Sequence, residues 1–117
     1  MTAAHGEPVE REIELDAPPD EVWAELDDPE RLGAWFGAGV DLELQPGAAG
    51  TFSFPGGETR RARVVDVEPP RRISFAWWPV APVPGPPTVV TITVEPLGTG
   101  SRFRVREAPS ARARAAA

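Results

Sequence analysis

The sequence predicts an α+β fold: a curved seven-stranded antiparallel sheet with two short helices between strands 1 and 2. Three observations carry this. Apolar and polar residues alternate at period two in separate stretches along most of the chain, which is how half-buried strands read. Pro/Gly clusters separate those stretches, as tight turns require. Two helix starts, at residues 18–21 and 28–30, fall between the first stretch and the second. A sheet built in this order has an apolar concave face, and what covers that face largely decides what the molecule does.

The elements follow in order. Residues 1–8 read as a flexible tail, and the domain proper runs over residues 9–107. In the first strand, residues 9–15, Val9, Arg11, Ile13 and Leu15 alternate with Glu10, Glu12 and Glu14, so a half-buried strand with an acidic outer face is expected. Pro18 and Pro19 suit an opening helical turn, where no amide donor is needed, and Asp20 and Glu21 set negative charge at its positive end. Val22, Trp23 and Leu26 share one face of that helix. Asp28 caps a second helix led by Pro29, which carries Leu32, Trp35 and Phe36 and ends at Gly37 and Gly39. A meander follows. Val40, Leu42 and Leu44 mark strand 2, residues 51–54 strand 3, and residues 58–68, with Ala62, Val64 and Val67, strand 4. Strand 5, residues 71–78, sets Ile73, Phe75 and Trp77 against Arg72, Ser74, Ala76 and Trp78. After a proline-rich loop at 79–87, strand 6 (88–95) sets Val90, Ile92 and Val94 inward, and strand 7 (101–107) does the same with Phe103 and Val105.

Composition excludes several functions. The 117 residues suffice for one hydrophobic core and no second domain. Twelve cations, all Arg, against 18 acids leave a net charge of −6, a poor basis for binding nucleic acid, whose affinity comes from neutralising phosphates. There is no cysteine, so no thiolate or disulfide chemistry is available, and His5 is the single histidine. With no tyrosine and no base near Ser53, Ser74, Ser101 or Ser110, catalysis has little to work with. The acidic rows on the strands point outward rather than converging, so they do not read as metal ligands. No cofactor is expected. No stretch reads as a membrane span or a secretion signal, and a cytoplasmic location is the default.

Three segments carry a family resemblance: residues 13–35 (IELDAPPDEVWAELDDPERLGAW), 63–77 (RVVDVEPPRRISFAW) and 90–105 (VTITVEPLGTGSRFRV). In this order they resemble the activator of heat-shock protein 90 ATPase homologue family, within the START-like (SRPBCC) helix-grip superfamily that includes the birch pollen allergen. The resemblance implies a sheet curled around a long C-terminal helix, with a hydrophobic cavity between them for an apolar ligand or a partner. Here residues 108–117 suffice only for the start of such a helix or a disordered tail, so the closing helix is expected to be truncated or absent. Ser110 is its expected cap. Isolated helices shorter than about 12 residues are marginal, so either the chain is a fragment or something else fills the groove.

The expected ligand-binding residues are Trp35, Phe52, Phe54, Phe75, Trp77, Val90, Ile92 and Phe103, each with ordinary core packing as its other reading. Arg63, Thr91 and Glu58 are the nearest polar candidates for the cavity, and the 79–87 loop is expected beside its mouth. The favoured function is non-catalytic binding of a small apolar or amphipathic ligand. A protein-partner role of the chaperone-cofactor kind is the alternative, and a cyclase or dehydratase activity ranks third. Self-association through the uncovered sheet face is a further expectation, because a large exposed apolar patch marks an interface.

Overall fold

A computed structural model describes residues 9–109. Its elements are β1 (Val9–Leu15), α1 (Pro19–Leu26), α2 (Pro29–Phe36), β2 (Gly39–Asp41), β3 (Ala49–Ser53), β4 (Thr59–Glu68), β5 (Arg72–Ala81), β6 (Thr88–Leu97) and β7 (Gly100–Pro109). All seven strands form one antiparallel sheet in the order β1-β7-β6-β5-β4-β3-β2. The expected fold is the observed one. The expected 1–8 tail and the Ser110-capped helix lie outside the described residues.

Both helices start as their sequences direct. Pro19 occupies the first turn of α1, with Asp20 and Glu21 behind it, and Val22, Trp23 and Leu26 are buried. Asp28 caps α2 by accepting a hydrogen bond from the Glu30 amide at 2.9 Å. The helix stops at Gly37, whose φ of 69° is left-handed, a conformation that costs glycine little and other residues more. Leu32 is buried under α2, and Phe36 packs on the core.

The core lies between these helices and the inner face of the sheet. Phe52, Val64, Ile73, Phe75, Val90, Ile92 and Val94 are fully buried there. Phe36, Phe52, Phe75 and Trp77 form one aromatic cluster, with every pair of ring centroids 5.0 to 6.2 Å apart. Such pairs add about 0.5–1.5 kcal/mol each beyond burial.

Five details depart from the expected elements. β1 is exposed along nearly its whole length, including Val9 and Ile13, because it is an edge strand whose inner row the helices do not reach. β2 ends at Asp41: Gly50 lies so close that a Cβ there would run into the Asp41 carbonyl oxygen, and beyond this crossing Leu42 and Leu44 turn onto the core. β4 carries a bulge between Val64 and Asp66. The extra residue, Val65, is exposed, which lets Val64 and Val67 both face inward despite their odd spacing. β5 continues through Pro79 to Ala81, paired with β4 alone past Trp77, so a proline is accommodated where the β6 side carries no ladder. Finally, Ala108 and Pro109 extend β7 opposite Val89 and Thr88 instead of opening a helix.

Ser101, buried at the start of β7, donates a hydrogen bond to the Ala17 carbonyl at 2.6 Å and so pins the entry of α1 to the sheet. Ser101→Ala removes that donor. It should lower unfolding free energy by about 1–2 kcal/mol, measured by urea denaturation.

Candidate functional site

The helices leave part of the concave face open. α1 packs on β6 and β7 while α2 reaches β2, and along β1 and the facing half of β7 runs a groove of ≈ 510 Å³. One wall is the inward row of β1, Val9, Arg11 and Ile13. The other is formed by Trp35 and Phe36 of α2 with Trp77 of β5, and β7 supplies the floor with Phe103, Val105 and Glu107. Strand register sets the rows: Ile13 faces Phe103, Arg11 faces Val105 and Val9 faces Glu107. Trp35 stacks on Phe103, with centroids 4.6 Å apart and planes at 22°, yet stays 37% exposed.

The groove has one polar end. Glu107 Oε2 accepts hydrogen bonds from Trp77 Nε1 at 2.9 Å and Thr88 Oγ1 at 2.5 Å. Arg60 Nη1 stands 3.9 Å from the same oxygen. The Arg60 guanidinium lies 4.5 Å from the Trp77 ring centroid, a cation–π contact, and its Nε donates to Glu58 Oε2 at 2.9 Å. Period two explains the convergence. Arg60 shares a face with Ala62 and Val64, Trp77 with Phe75, Thr88 with Val90, and Glu107 with Phe103 and Val105.

Of the residues expected to meet a ligand, the structure brings Trp35, Trp77 and Phe103 together at the groove. Phe52, Phe75, Val90 and Ile92 are fully buried; the helices seal them into the core, and they present no surface to the groove. Phe54 is half-buried and edge-on to Trp77 at 6.2 Å, outside the groove lining. Arg63 is exposed and reaches the Gly47 carbonyl at 3.5 Å. Thr91 pairs with Ser74, hydroxyl to hydroxyl at 3.2 Å, on the face opposite Val90 and Ile92. Only Glu58 lies near the polar end. Pro82 and Val83 of the proline-rich loop border a separate depression with Pro55 and Glu58, not the groove.

Sequence reasoning missed Glu107, Arg60 and Thr88 as a set. The signal for Glu107 was present: steps of two from Phe103 through Val105 arrive at it. Charge on a strand reads as solvent-facing, and that reading masked the step.

The β1 wall is held from its outer side. Glu12 accepts a hydrogen bond from Arg104 Nη2 at 2.7 Å and lies 3.5 Å from Arg102 Nε. The Arg104 hydrogen bond holds the Glu12 carboxyl below its ordinary value. A lowered folded value means that the pair's contribution is complete above the unfolded value of about 4.3 and is lost as pH falls through the folded one. The melting-temperature gap between the parent chain and Glu12→Gln should therefore be small at pH 7 and close as pH drops below about 4, followed by circular dichroism.

Among the described residues no group of three or more His, Cys, Asp or Glu could hold a metal ion, and no helix is long and apolar enough to cross a membrane.

The chain is similar to several proteins of known structure. Protein MLL2253 from Mesorhizobium loti is 26% identical and superposes with a TM-score of 0.78, covering 93% of this chain and 82% of that one. DynU16, from the dynemicin biosynthetic locus, is 28% identical with a TM-score of 0.77 over 90% of this chain, which spans only 38% of DynU16. CalU16 from Micromonospora echinospora is 27% identical with a TM-score of 0.65, covering 90% of this chain and 62% of CalU16. No curated protein matches. The profile of the family described as Activator of Hsp90 ATPase homolog 1-like protein matches residues 16–117, and with the strand and helix order above the chain belongs to that family, in the START-like superfamily.

Proposed function

We propose that this chain binds a small apolar or amphipathic molecule in the groove between β1, β7 and α2, through burial and without covalent chemistry. The observation that carries this reading is Trp35. It stacks on Phe103, remains 37% exposed and lines the groove together with the exposed Ile13 and Val9. Apolar walls that face each other over ≈ 510 Å³ fit a small-molecule site, for which about 300–1,000 Å³ is usual. The place of DynU16 in a biosynthetic locus supports a small-molecule ligand.

A second reading is a protein partner, favoured by the exposure of Val9 and Ile13 and by the family's description as an activator of a chaperone ATPase. Self-association is a variant of it. Pairing of two β1 edges would bring rows of Glu10, Glu12 and Glu14 together, which like-charge repulsion opposes, so a second copy would have to use the concave face.

The neutral fluorescent probe N-phenyl-1-naphthylamine should bind and brighten. Trp35→Ala removes the ring that stacks on Phe103, a loss on the order of 2 kcal/mol for a large apolar side chain buried by the probe, and should weaken the probe at least about tenfold. Equal affinity in Trp35→Ala would remove the groove as the site. In native mass spectrometry, the chain mass plus a small adduct supports the ligand reading; a doubled mass with no adduct favours the second copy.

A further inference from the structure

We propose that the groove selects ligands whose polar end donates a hydrogen bond, a hydroxyl or an amine, and that Glu107 receives it. This rests on the reading of the groove as a small-molecule site and names the head group that site takes.

Both side-chain hydrogen bonds that the described residues make to the Glu107 carboxylate, and the nearest Arg60 nitrogen, fall on one oxygen. Trp77 Nε1, Thr88 Oγ1 and Arg60 Nη1 all address Oε2. These partners fix the plane of the carboxylate. Oε1 takes none of them, on a side chain that lines the groove and is about one-third exposed (32%). A carboxylate oxygen is an acceptor only, so a ligand atom that meets Oε1 must be a donor.

Local charge points the same way. Arg60 is shared between Glu58 at 2.9 Å and Glu107 at 3.9 Å, two carboxylates on one guanidinium. The cation beside Glu107 is thus divided between two carboxylates and nearer to Glu58. An apolar acid would bring a third carboxylate to it, whereas a hydroxyl would be neutral and an ammonium complementary. Arg11 also lines the groove, but it is an exposed residue on the edge strand, where water screens its charge. The ligand thus has its apolar body against Trp35, Phe103 and Ile13 and its donor at Glu107.

Three probes of one chain length test this: 1-decanol, decylamine and decanoate, each below its micelle concentration, competed against N-phenyl-1-naphthylamine at pH 7. Salt at about 0.5 M suppresses the long-range effect of the protein's net charge. Decanol and decylamine should each bind about tenfold or more tighter than decanoate, the range of a hydrogen bond to a charged group. In Glu107→Gln the amide oxygen can keep the Trp77 and Thr88 hydrogen bonds while the amide nitrogen, a donor, takes the other position. That variant should reverse the order of decylamine and decanoate.

Equal binding of the three probes by the parent chain overturns the head-group assignment and leaves the groove reading standing. Tighter binding of decanoate overturns it as well and moves the head group to Arg11. If neither the naphthylamine nor any decyl probe binds, the groove reading falls and takes this inference with it. The parent series decides even if Glu107→Gln proves unfolded by circular dichroism.

Discussion

The position of β1 governs the rest of the molecule. β1 pairs with β7 while β2 lies at the opposite edge of the sheet, so the chain between them has to cross a concave face seven strands wide. Six inter-strand spacings of about 4.8 Å make roughly 29 Å. The crossing segment spends its residues on two helices of eight residues each, about 12 Å apiece. Laid across the sheet they bury Phe52, Phe75 and Ile92, with α1 held at the Ser101 end of β7 and α2 carrying the chain on to β2. The groove is the stretch they leave uncovered, where Val9 to Ile13 of β1 run beside Phe103 to Glu107 of β7. Its apolar character is a consequence of strand alternation, since the row that supplies Phe103 and Val105 continues the core past the edge of the helical cover.

Trp77 connects the two halves of this arrangement. Its ring belongs to the aromatic cluster with Phe36, Phe52 and Phe75, while its indole N–H goes to Glu107. An indole buried without an acceptor leaves a polar group unpaired, at about 1–3 kcal/mol. Glu107 supplies that acceptor, and Thr88 and Arg60 share it. The polar end of the groove is therefore tied to the packing of the core, and its geometry is set by the same contacts that keep Trp77 in place.

Much of this was legible in the sequence, for identifiable reasons. β5, β6 and β7 alternate cleanly, so Phe75, Ile92 and Phe103 declare their face without further information. The helix starts at Pro19 and Asp28 follow local chemistry that needs no tertiary context. Legibility failed where a long-range fact decides. Nothing local says that β1 is an edge, so Val9 and Ile13 read as half-buried when they are exposed. The bulge at Val65 is visible only in its pairing with β5. Among the aromatic residues, the division between Trp35 at the groove and Phe52 in the core depends on where α2 comes to rest, and the helical period for Trp35 and the strand period for Phe52 place both on the apolar side. Glu107 is the instructive case, because its parity was readable while its charge argued for the opposite face.

The two walls of the groove differ in mechanical character. Trp77 and Phe103 are embedded in the core, and moving either would open packed contacts. β1 pairs with β7 alone, its inner row is exposed, and its outer row is held by Arg102 and Arg104 on Glu12. Exposed pairs of this kind contribute little to stability, and strands with few buried contacts open at the lowest free energy. One wall is consequently rigid and the other compliant. In the proposed binding mode the ligand rests against the rigid wall, where Trp35, Phe103 and Glu107 stand, and β1 is the wall with less packing to lose. In that mode discrimination falls to the head group at Glu107 more than to the shape of the tail, because the carboxylate has Trp77, Thr88 and Arg60 as partners and the β1 wall is exposed.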